Sequence, residues 1–198
     1  MSAYFVTAIG TDSGKTLASA ILCQSLGAAY WKPIQSGLPG DSDTLRQWLP
    51  GVQIVPERYV FQTPASPHFA AKVEHQTIGL KDFTLPHYSE LIVEGAGGLL
   101  VPINETETMA DLIAHLDIPI ILVVNHYLGA LNHTLLTIAE IQKRGLKLEG
   151  IIFNRTDFQD AEPIILQKAG CRCLLRIPEI EAVNEIQIRQ LSQNLIWS

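Results

Sequence analysis

The segment from Ile9 to Thr16 contains glycine, lysine and hydroxyl residues in the order of a phosphate-binding loop. In such a loop the backbone N–H groups point at phosphate oxygens, Lys15 adds positive charge near the β and γ phosphates, and Thr16 binds Mg²⁺. The strict motif has glycine at the position of Ile9, whereas here Gly10 comes one residue later. The alternative is an ordinary turn with a surface lysine. Because an apolar run precedes the loop and a helical run follows it, the sequence favours phosphate binding.

Two acidic residues are candidate magnesium ligands. Glu94 ends an apolar run and precedes a glycine-rich turn, so it should emerge at a ligand-binding edge; the alternative is a helix cap or a solvated turn residue. Asp43 lies in a loop rich in glycine and proline, where an aspartate is otherwise a turn residue or the N-cap of a helix over residues 44–49. Mg²⁺ prefers oxygen ligands. We therefore expect Glu94 to join the Thr16 hydroxyl, and Asp43 is the other candidate, raised by its placement relative to Lys32 and Ser36.

An α/β fold would position these residues. Several short runs are rich in aliphatic and β-branched residues and apolar on both faces, as in a parallel sheet that helices cover on both sides. Stretches with helical spacing lie between them. The alternation predicts a doubly wound, mostly parallel sheet flanked by helices, in one domain over residues 1–198, with ligands at the carboxyl ends of the strands. The predicted strands are 4–8, 29–31, 90–93, 119–124 and 148–153, and the predicted helices are 16–26, 109–116, 132–144 and 186–195.

Composition and charge exclude several classes of protein. The 198 residues include 14 Lys and Arg against 20 Asp and Glu, a formal net charge of −6, and no basic tract, so we expect no nucleic-acid or anionic-lipid surface. The 3 cysteines lack the spacing of a zinc site or a disulfide framework, which suits a reducing compartment. The start of the chain lacks the features of a signal peptide, and the apolar stretch 118–124 is far shorter than the roughly 20 residues of a membrane-spanning helix. We therefore expect a cytoplasmic protein without a membrane segment.

Six segments, taken in order, resemble those of the dethiobiotin synthetases. They are residues 14–16 (GKT), 30–37 (YWKPIQSG), 42–43 (SD), 64–68 (PASPH), 93–98 (VEGAGG) and 128–133 (LGALNH). They span most of the chain, and the second and fifth are the most diagnostic. The resemblance implies a P-loop NTPase-like fold and a ligase of biotin biosynthesis, which forms dethiobiotin from 7,8-diaminopelargonate, carbon dioxide (CO2) and ATP with Mg²⁺.

The implied reaction passes through two activated species. A substrate amine captures carbon dioxide as a carbamate, which attacks the γ phosphate of ATP to give a carbamic-phosphoric mixed anhydride. The neighbouring amine then closes the ring and expels phosphate. Positioning and charge neutralisation dominate such a transfer. The resemblance implies catalytic roles for Thr11, Lys15 and Lys32, with Lys32 stabilising the carbamate.

The resemblance also implies binding positions. The magnesium ligands would be Thr16, Asp43 and Glu94. The nucleotide-binding residues would be Asp12, Ser13, Gly14, Lys15, Thr16, Leu17, Asp43, Glu94, Gly95, Ala96, Gly97, Asn154, Arg155, Pro178 and Glu179, with Asn154 at the purine. The substrate-binding residues would be Ser36, Gly129, Ala130, Leu131 and Asn132.

The segment 129–132 opens a predicted helix, whose N-terminal N–H groups suit the substrate carboxylate. Asn132 can serve as an N-cap at the same time. The resemblance implies that this segment comes from a neighbouring subunit, and hence a homodimer with composite sites. His68 matches the family's substrate loop, although a structural role for it is favoured over catalysis.

Two rival functions also use a nucleotide. A nucleotide-switched partition or regulatory protein would carry an additional lysine early in the loop, and no lysine lies between residues 1 and 14. A regulatory GTPase would carry an N-K-x-D motif, and residues 154–157 (NRTD) have arginine in place of that lysine. Neither rival explains Lys32 and Ser36. We therefore expect the synthetase reaction, although the loop entrance at residues 8–9 and the short segment before Lys32 depart from the family pattern.

Overall fold

The computed structural model describes residues 2–155 and 159–197. The strands are β1 (Ser2–Ala8), β2 (Ala29–Trp31), β3 (Ile34–Ser36), β4 (Ile54–Val55), β5 (Tyr59–Phe61), β6 (Glu90–Glu94), β7 (Ile120–Asn125), β8 (Leu148–Asn154) and β9 (Arg172–Ile177). The helices are α1 (Lys15–Leu26), α2 (Asp41–Trp48), α3 (Pro67–Val73), α4 (Met109–Leu116), α5 (Ala130–Lys143), α6 (Glu162–Ala169) and α7 (Glu185–Ser192). Short 3₁₀ turns lie at Leu80–Asp82 and Gln159–Ala161.

Seven strands form one parallel sheet in the order β4-β2-β6-β1-β7-β8-β9. The chain leaves β1 towards one side through β2 and later reaches the other side through β7, so the strand order reverses beside β1. Ligands of such sheets bind at the carboxyl ends of the strands where this reversal occurs. The strands β3 and β5 form a separate parallel pair.

Successive residues of the central strand contribute to two different cores. Phe5 packs with apolar residues of α4, α5 and α6 on one face. Val6 and Ala8 pack with residues of α1, α2 and α7 on the other face. Because helices cover both faces, the central strands are apolar throughout, which explains the continuous apolar runs in the sequence.

The predicted fold class is confirmed, and each predicted strand and helix is present with small shifts at its ends. The strands β3, β4, β5 and β9 and the helices α3 and α6 are additional to the predicted elements. Their segments are short or mix apolar with charged residues, as Arg172 and Arg176 do in β9. Periodicity alone gives little signal in such segments.

Two predicted helix starts are wrong. The helix α2 begins at Asp41, earlier than predicted, with Gly40 as its N-cap. The helix α5 begins at Ala130 after Gly129, so Asn132 is not the N-cap. Gly129 has φ 100°, a left-handed conformation that glycine adopts at little cost. Within the two described ranges, every helix falls short of the length and apolar character that a membrane crossing requires.

Candidate active site

The loop between β1 and α1 folds back on its own backbone. The Ser13 hydroxyl donates to the carbonyl oxygen of Gly10 at 3.0 Å, and Lys15 Nζ donates to the same oxygen at 3.2 Å. Gly14 has φ 90°, and a Cβ at this position would overlap the side-chain amide of Asn154. The loop therefore requires glycine at position 14. It leads directly into the N-terminus of α1, where unpaired N–H groups suit an anion.

Lys15 is buried at the first position of α1. Burial, reinforced by the neighbouring Lys32 ammonium, lowers the pKa of Lys15 to about 8, while Glu94 and Asp41 oppose this shift. A bound phosphate would supply a negative charge in place of the lost solvation, and would therefore raise this pKa. Lys15 is thus a cation that becomes fully stabilised only when an anion is bound.

Two further predicted nucleotide-binding residues are Asp12, within the loop, and Leu17, just after it. Asp12 is exposed and has φ 55°. Leu17 lies in the first turn of α1 and packs against the core on that face of the sheet. Both predicted nucleotide positions therefore border the same loop.

Glu94, at the end of β6, is buried and joins three elements of the fold. Its Oε1 accepts a hydrogen bond from Thr16 Oγ1 at 3.0 Å and from Lys32 Nζ at 3.1 Å. Its Oε2 accepts a hydrogen bond from the Tyr30 hydroxyl at 3.0 Å. These residues meet because the carboxyl ends of β2 and β6 and the loop after β1 lie at one edge of the parallel sheet.

Tyr30 was not predicted as part of this site. Its position in a short apolar strand indicates a core residue, and although it opens the segment 30–37, the sequence assigns it no role. Burial and the adjacent Glu94 carboxylate raise the pKa of Tyr30 well above its usual range. The phenol therefore stays protonated and remains a hydrogen-bond donor to Glu94.

Lys32 directly follows β2 and is buried between two carboxylates. Its ammonium lies 2.5 Å from Asp41 Oδ2 and also donates to the carbonyl oxygen of Gly95 at 3.0 Å. Burial would lower the pKa of Lys32, but Glu94 and Asp41 outweigh it and the pKa is raised. Burial would likewise raise the pKa of Asp41, but the Lys32 ammonium outweighs it and the pKa is lowered. The ion pair therefore stays charged at neutral pH.

In the structure Asp43 does not join this group, and its role as a magnesium ligand stays a prediction. Its side chain is exposed and lies 2.9 Å from Arg46 Nη1. Successive residues of a helix are rotated by about 100° around its axis, so residues two apart point to nearly opposite sides. Because α2 begins at Asp41, that residue faces Lys32 and Asp43 faces solvent. The second carboxylate of the site is therefore Asp41.

The loop between β3 and α2 is held by Gln35, a residue that the sequence did not single out. Gln35 Nε2 donates to the carbonyl oxygen of Gly37 at 3.0 Å, and Gln35 Oε1 accepts from the backbone N–H of Asp41 at 3.0 Å. The Ser36 hydroxyl, at the end of β3, is buried and has no hydrogen-bond partner among the described residues. A buried hydroxyl without a partner costs free energy. Ser36 is therefore ready to bond to a ligand.

The glycine-rich turn after β6 lies against β1 and the loop that follows it. A Cβ at Gly95 would lie 2.7 Å from the Phe5 ring, and one at Gly98 would lie 3.3 Å from the carbonyl oxygen of Ala8. Close packing alone therefore explains glycine at position 95. Gly98 borders the phosphate-binding loop, since a Cβ there would also lie 3.5 Å from Gly10 N, and the nucleotide role of segment 95–97 stays a prediction.

Asn154 ends β8, and its side-chain amide is turned towards the phosphate-binding loop. Its Nδ2 donates to the carbonyl oxygen of Ser13 at 3.0 Å. Arg155 is exposed and has φ 68°. Pro178 and Glu179 are exposed directly after β9, at the same edge of the sheet. Residues 156–157 of the rival guanine-binding motif lie outside the described residues.

Thr11, predicted to be catalytic, lines a cavity that Lys32 does not line. This cavity of 390 Å³ lies between the phosphate-binding loop, residues 98–102 and α5. In the described ranges, no hydrogen bond joins the Thr11 hydroxyl to Lys15 or Lys32.

His68 lies at the start of α3, where its Nδ1 is 3.0 Å from the Ser66 hydroxyl. This contact agrees with the structural role that was favoured for it.

The start of α5 carries exposed apolar side chains, whereas the charged side chains of Lys32 and Glu94 are buried. Leu128 is 87% exposed just before it, and Leu136 is 61% exposed on the helix. Within the described part of the chain, no hydrogen bond or ion pair joins the segment 129–132 to Lys15, Lys32 or Glu94. One chain therefore brings together the charged residues and leaves the predicted carboxylate-binding segment apart from them.

Known proteins are similar to this chain over most of its length. A family model described as an AAA domain matches residues 2–187. The ATP-dependent dethiobiotin synthetase of Cytophaga hutchinsonii is 48% identical over 192 residues, which cover 94% of this chain and 93% of the relative. The enzyme of the same name from Afipia carboxidovorans is 41% identical over 190 residues, with coverage of 93% and 90%. The chain belongs to the dethiobiotin synthetase family.

The dethiobiotin synthetase relatives confirm the predicted resemblance and the ligase class that it implied. Solved structures are similar in fold. The MinD protein of Pyrococcus horikoshii in complex with Mg-ADP has a TM-score of 0.62 at 15% identity, covering 97% of this chain and 94% of that one. A ParA family ATPase of Chlorobium tepidum has a TM-score of 0.55 at 15% identity, covering 96% of each chain. At such low identity these neighbours confirm the P-loop ATPase fold alone.

Proposed function

We propose that this dethiobiotin synthetase closes the ureido ring of dethiobiotin from 7,8-diaminopelargonate, carbon dioxide and ATP. The observation that carries the proposal is the convergence of Lys15, Lys32, Asp41 and Glu94, which meet at the edge where the strand order reverses. Burying charged groups is costly unless function or strong pairing maintains them. Phosphoryl transfer uses both kinds of charge, because ammonium groups neutralise phosphate and carboxylates hold its counter-cation.

The proposed reaction begins when a substrate amine adds to carbon dioxide, forms a C–N bond and loses a proton. A carbamate oxygen then attacks the γ phosphorus of ATP, and the bond to ADP breaks with its electron pair on ADP. The second amine attacks the activated carbonyl carbon, loses a proton and expels phosphate as the ring closes. Lys15 neutralises the phosphate oxygens, and Lys32 stabilises the carbamate and the charge that develops on it.

The oxygen donors of Thr16, Asp41 and Glu94 fit a magnesium ion, with Asp41 in the role first expected of Asp43. Both carboxylates already hold a cation, the Lys32 ammonium, and oxygen ligands of this kind suit hard divalent cations. In the described part of the chain, no group of 3 or more His, Cys, Asp or Glu residues is placed to bind a metal. Nucleotide phosphates would therefore complete the coordination. When bound, Mg²⁺ supplies charge neutralisation for the transferred phosphoryl group.

Asn154 is the residue that fits adenine. One Nδ2 N–H donates to the carbonyl oxygen of Ser13, which leaves a second N–H to donate and Oδ1 to accept. The amide oxygen can accept from the 6-amino group of adenine. Arg155, Pro178 and Glu179 would flank the nucleotide at the same edge.

The start of α5 supports a substrate site shared between two subunits. Gly129, Ala130, Leu131 and Asn132 would offer backbone N–H groups to the carboxylate of diaminopelargonate. The exposed Leu128 and Leu136 beside this segment suit an interface, since contiguous exposed apolar residues mark contact sites. In the resulting homodimer, α5 of one subunit would complete the site at Lys32 and Ser36 of the other.

The free cysteines Cys23, Cys171 and Cys173 support a reducing, cytoplasmic setting.

A product assay tests the proposal. The protein is incubated with diaminopelargonate, bicarbonate, Mg²⁺ and each nucleoside triphosphate in turn, and the products are identified by mass spectrometry. We expect dethiobiotin with ATP, accompanied by one ADP for each ring. Absence of the ring product with every nucleotide would refute the proposal, and hydrolysis stimulated by a partner protein without diaminopelargonate would favour a nucleotide switch instead.

A further inference from the structure

His126, Glu162 and Arg176 form a chain of polar contacts at the carboxyl end of the sheet. His126 Nε2 lies 3.2 Å from Glu162 Oε1, and Arg176 Nε donates to Glu162 Oε2 at 2.7 Å. The side chains of His126 and Glu162 are almost fully buried, whereas Arg176 is half exposed. These contacts tie the residue after β7 to the first residue of α6 and to β9.

Two of these elements, the residue after β7 and the end of β9, also hold the end of β8 at Asn154 in place. The backbone N–H of His126 donates to the carbonyl oxygen of Asn154 at 3.1 Å. The His126 ring stacks on Phe153, the residue before Asn154, with centroids 5.3 Å apart and planes 11° from parallel. On the other side, the N–H of Arg155 donates to the carbonyl oxygen of Ile177, just after Arg176, at 2.9 Å. The polar chain therefore flanks the end of β8 from both neighbouring strands.

A buried carboxylate is an expensive way to join strand ends that apolar side chains could also join. Glu162 recovers part of that cost from the N-terminus of α6 and from its two partners. Directional hydrogen bonds fix relative positions more tightly than apolar contacts do. Nothing in the carbamate or phosphate chemistry uses these three residues, so fixing the position of a neighbouring ligand-binding group is the role that fits their location.

We propose that His126, Glu162 and Arg176 are positioning residues for Asn154, and that they set the affinity for the purine of the nucleotide. The inference rests on the proposed role of Asn154 in adenine binding. The Asn154 amide must satisfy Ser13 and the base at once, so a small shift of the end of β8 breaks one of the two contacts. Lys15 is held by the carbonyl oxygen of Gly10 and by the start of α1, and not by Asn154, so its contacts with the phosphates should depend less on this position than contacts with the base do.

The test compares a ligand that carries the base with one that lacks it. Calorimetric dissociation constants for ADP and for inorganic tripolyphosphate, both with Mg²⁺, are measured for the full-length protein and for Glu162→Ala and His126→Phe. His126→Phe keeps an aromatic ring on Phe153 and removes only the bond to Glu162. Since one hydrogen bond contributes about 1 kcal/mol, we expect ADP binding to weaken roughly fivefold. Tripolyphosphate binding should change less than about twofold, and kcat at saturating ATP should be kept while KM for ATP rises.

Glu149→Ala is the matched control, because it removes the ion pairs to Lys147 and Arg172 at the opposite end of β8 and β9. We expect both ligands to bind this variant as they bind the unmodified protein. If Glu162→Ala fails to fold, His126→Phe and Arg176→Gln decide the question. Equal weakening of both ligands, or unchanged ADP affinity, would overturn the positioning role while leaving the proposed function intact. Absence of ADP binding by the unmodified protein would overturn both.

Discussion

In the phosphate half of the site, hydrogen bonds and ion pairs within a single chain join Thr16, Lys32, Asp41 and Glu94. Lys15 lies close enough to feel their charges. Residues 129–132, the substrate half, instead begin a helix that is bordered by exposed leucines. Charged side chains in a low-dielectric site stabilise a transition state only when partners of defined geometry hold them in place. The free N–H groups at a helix N-terminus belong to the helix itself, so they are available whichever subunit supplies the helix. This contrast is the one that the proposed homodimer requires, in which one subunit would build the phosphate half and a second subunit would supply the substrate half.

The largest expected effect is on the phosphate half. Lys32→Met should lower dethiobiotin formation by about 10²–10³-fold, because a charge that stabilises the transition state is lost. Binding of a non-hydrolysable ATP analogue should change little. The measurement is paired calorimetry and product formation. Equal losses in both would show that Lys32 acts on nucleotide binding instead.

Asp41 and Asp43 form a matched pair within the same helix. Asp41→Asn should lower product formation at limiting Mg²⁺ by roughly tenfold or more, because an oxygen ligand loses its charge. Asp43→Asn should have an effect smaller than about twofold, since exposed ion pairs contribute little. Titration of activity with Mg²⁺ measures both. If Asp43→Asn were the more harmful change, the assignment of Asp41 would be wrong.

The substrate half should respond to changes at its apolar surface. Leu136→Asp should shift the protein towards monomers and lower product formation about tenfold, because a charge cannot be buried in an interface without a partner. ADP binding should be unaffected. Ile186, which is 69% exposed on α7, supplies the control Ile186→Asp, for which no change is expected. Sedimentation with product assays gives the comparison, and a monomeric variant of full activity would contradict the shared site.

The smallest effect is on pH dependence. Lys15 has a pKa of about 8, so it is charged below this pH and neutral above it. Phosphate binding favours the charged form, so ADP affinity should be constant below pH 7 and fall about three- to fivefold towards pH 9, with proton uptake on binding near pH 8. Lys15→Arg should abolish the slope because arginine stays charged. Calorimetry in buffers of different ionisation enthalpy measures the uptake.

The sequence predicts the residues that follow strong strands. Lys15, Thr16 and Glu94 come after continuous apolar runs, and parallel strands bring their carboxyl ends to one edge. The placement of Glu94 beside Thr16 in the structure agrees with that expectation. Lys32 was found through the resemblance, because β2 is a short strand and lysine alone has no distinguishing pattern.

The rest of the site depends on features that spacing does not encode. The choice between Asp41 and Asp43 depends on where α2 begins, and Gly40 carries a weaker start signal than an aspartate does. Tyr30 is a buried apolar residue by pattern, and only the fold brings its hydroxyl to Glu94. His126 and Glu162 are 36 residues apart, and their contact follows from the order of β7, β8 and β9 in the sheet.

Subunit complementation tests most directly whether the two halves belong to different subunits. Lys32→Met disables the phosphate half. Asn132→Asp places a negative charge at the substrate carboxylate, while an acidic residue in the first turn still suits helix α5. Each variant alone should be nearly inactive. After the two are mixed and allowed to exchange subunits, half of the dimers carry one intact composite site, so about a quarter of the unmodified activity should return. Activity that stays at the sum of the two separate variants would contradict the shared site.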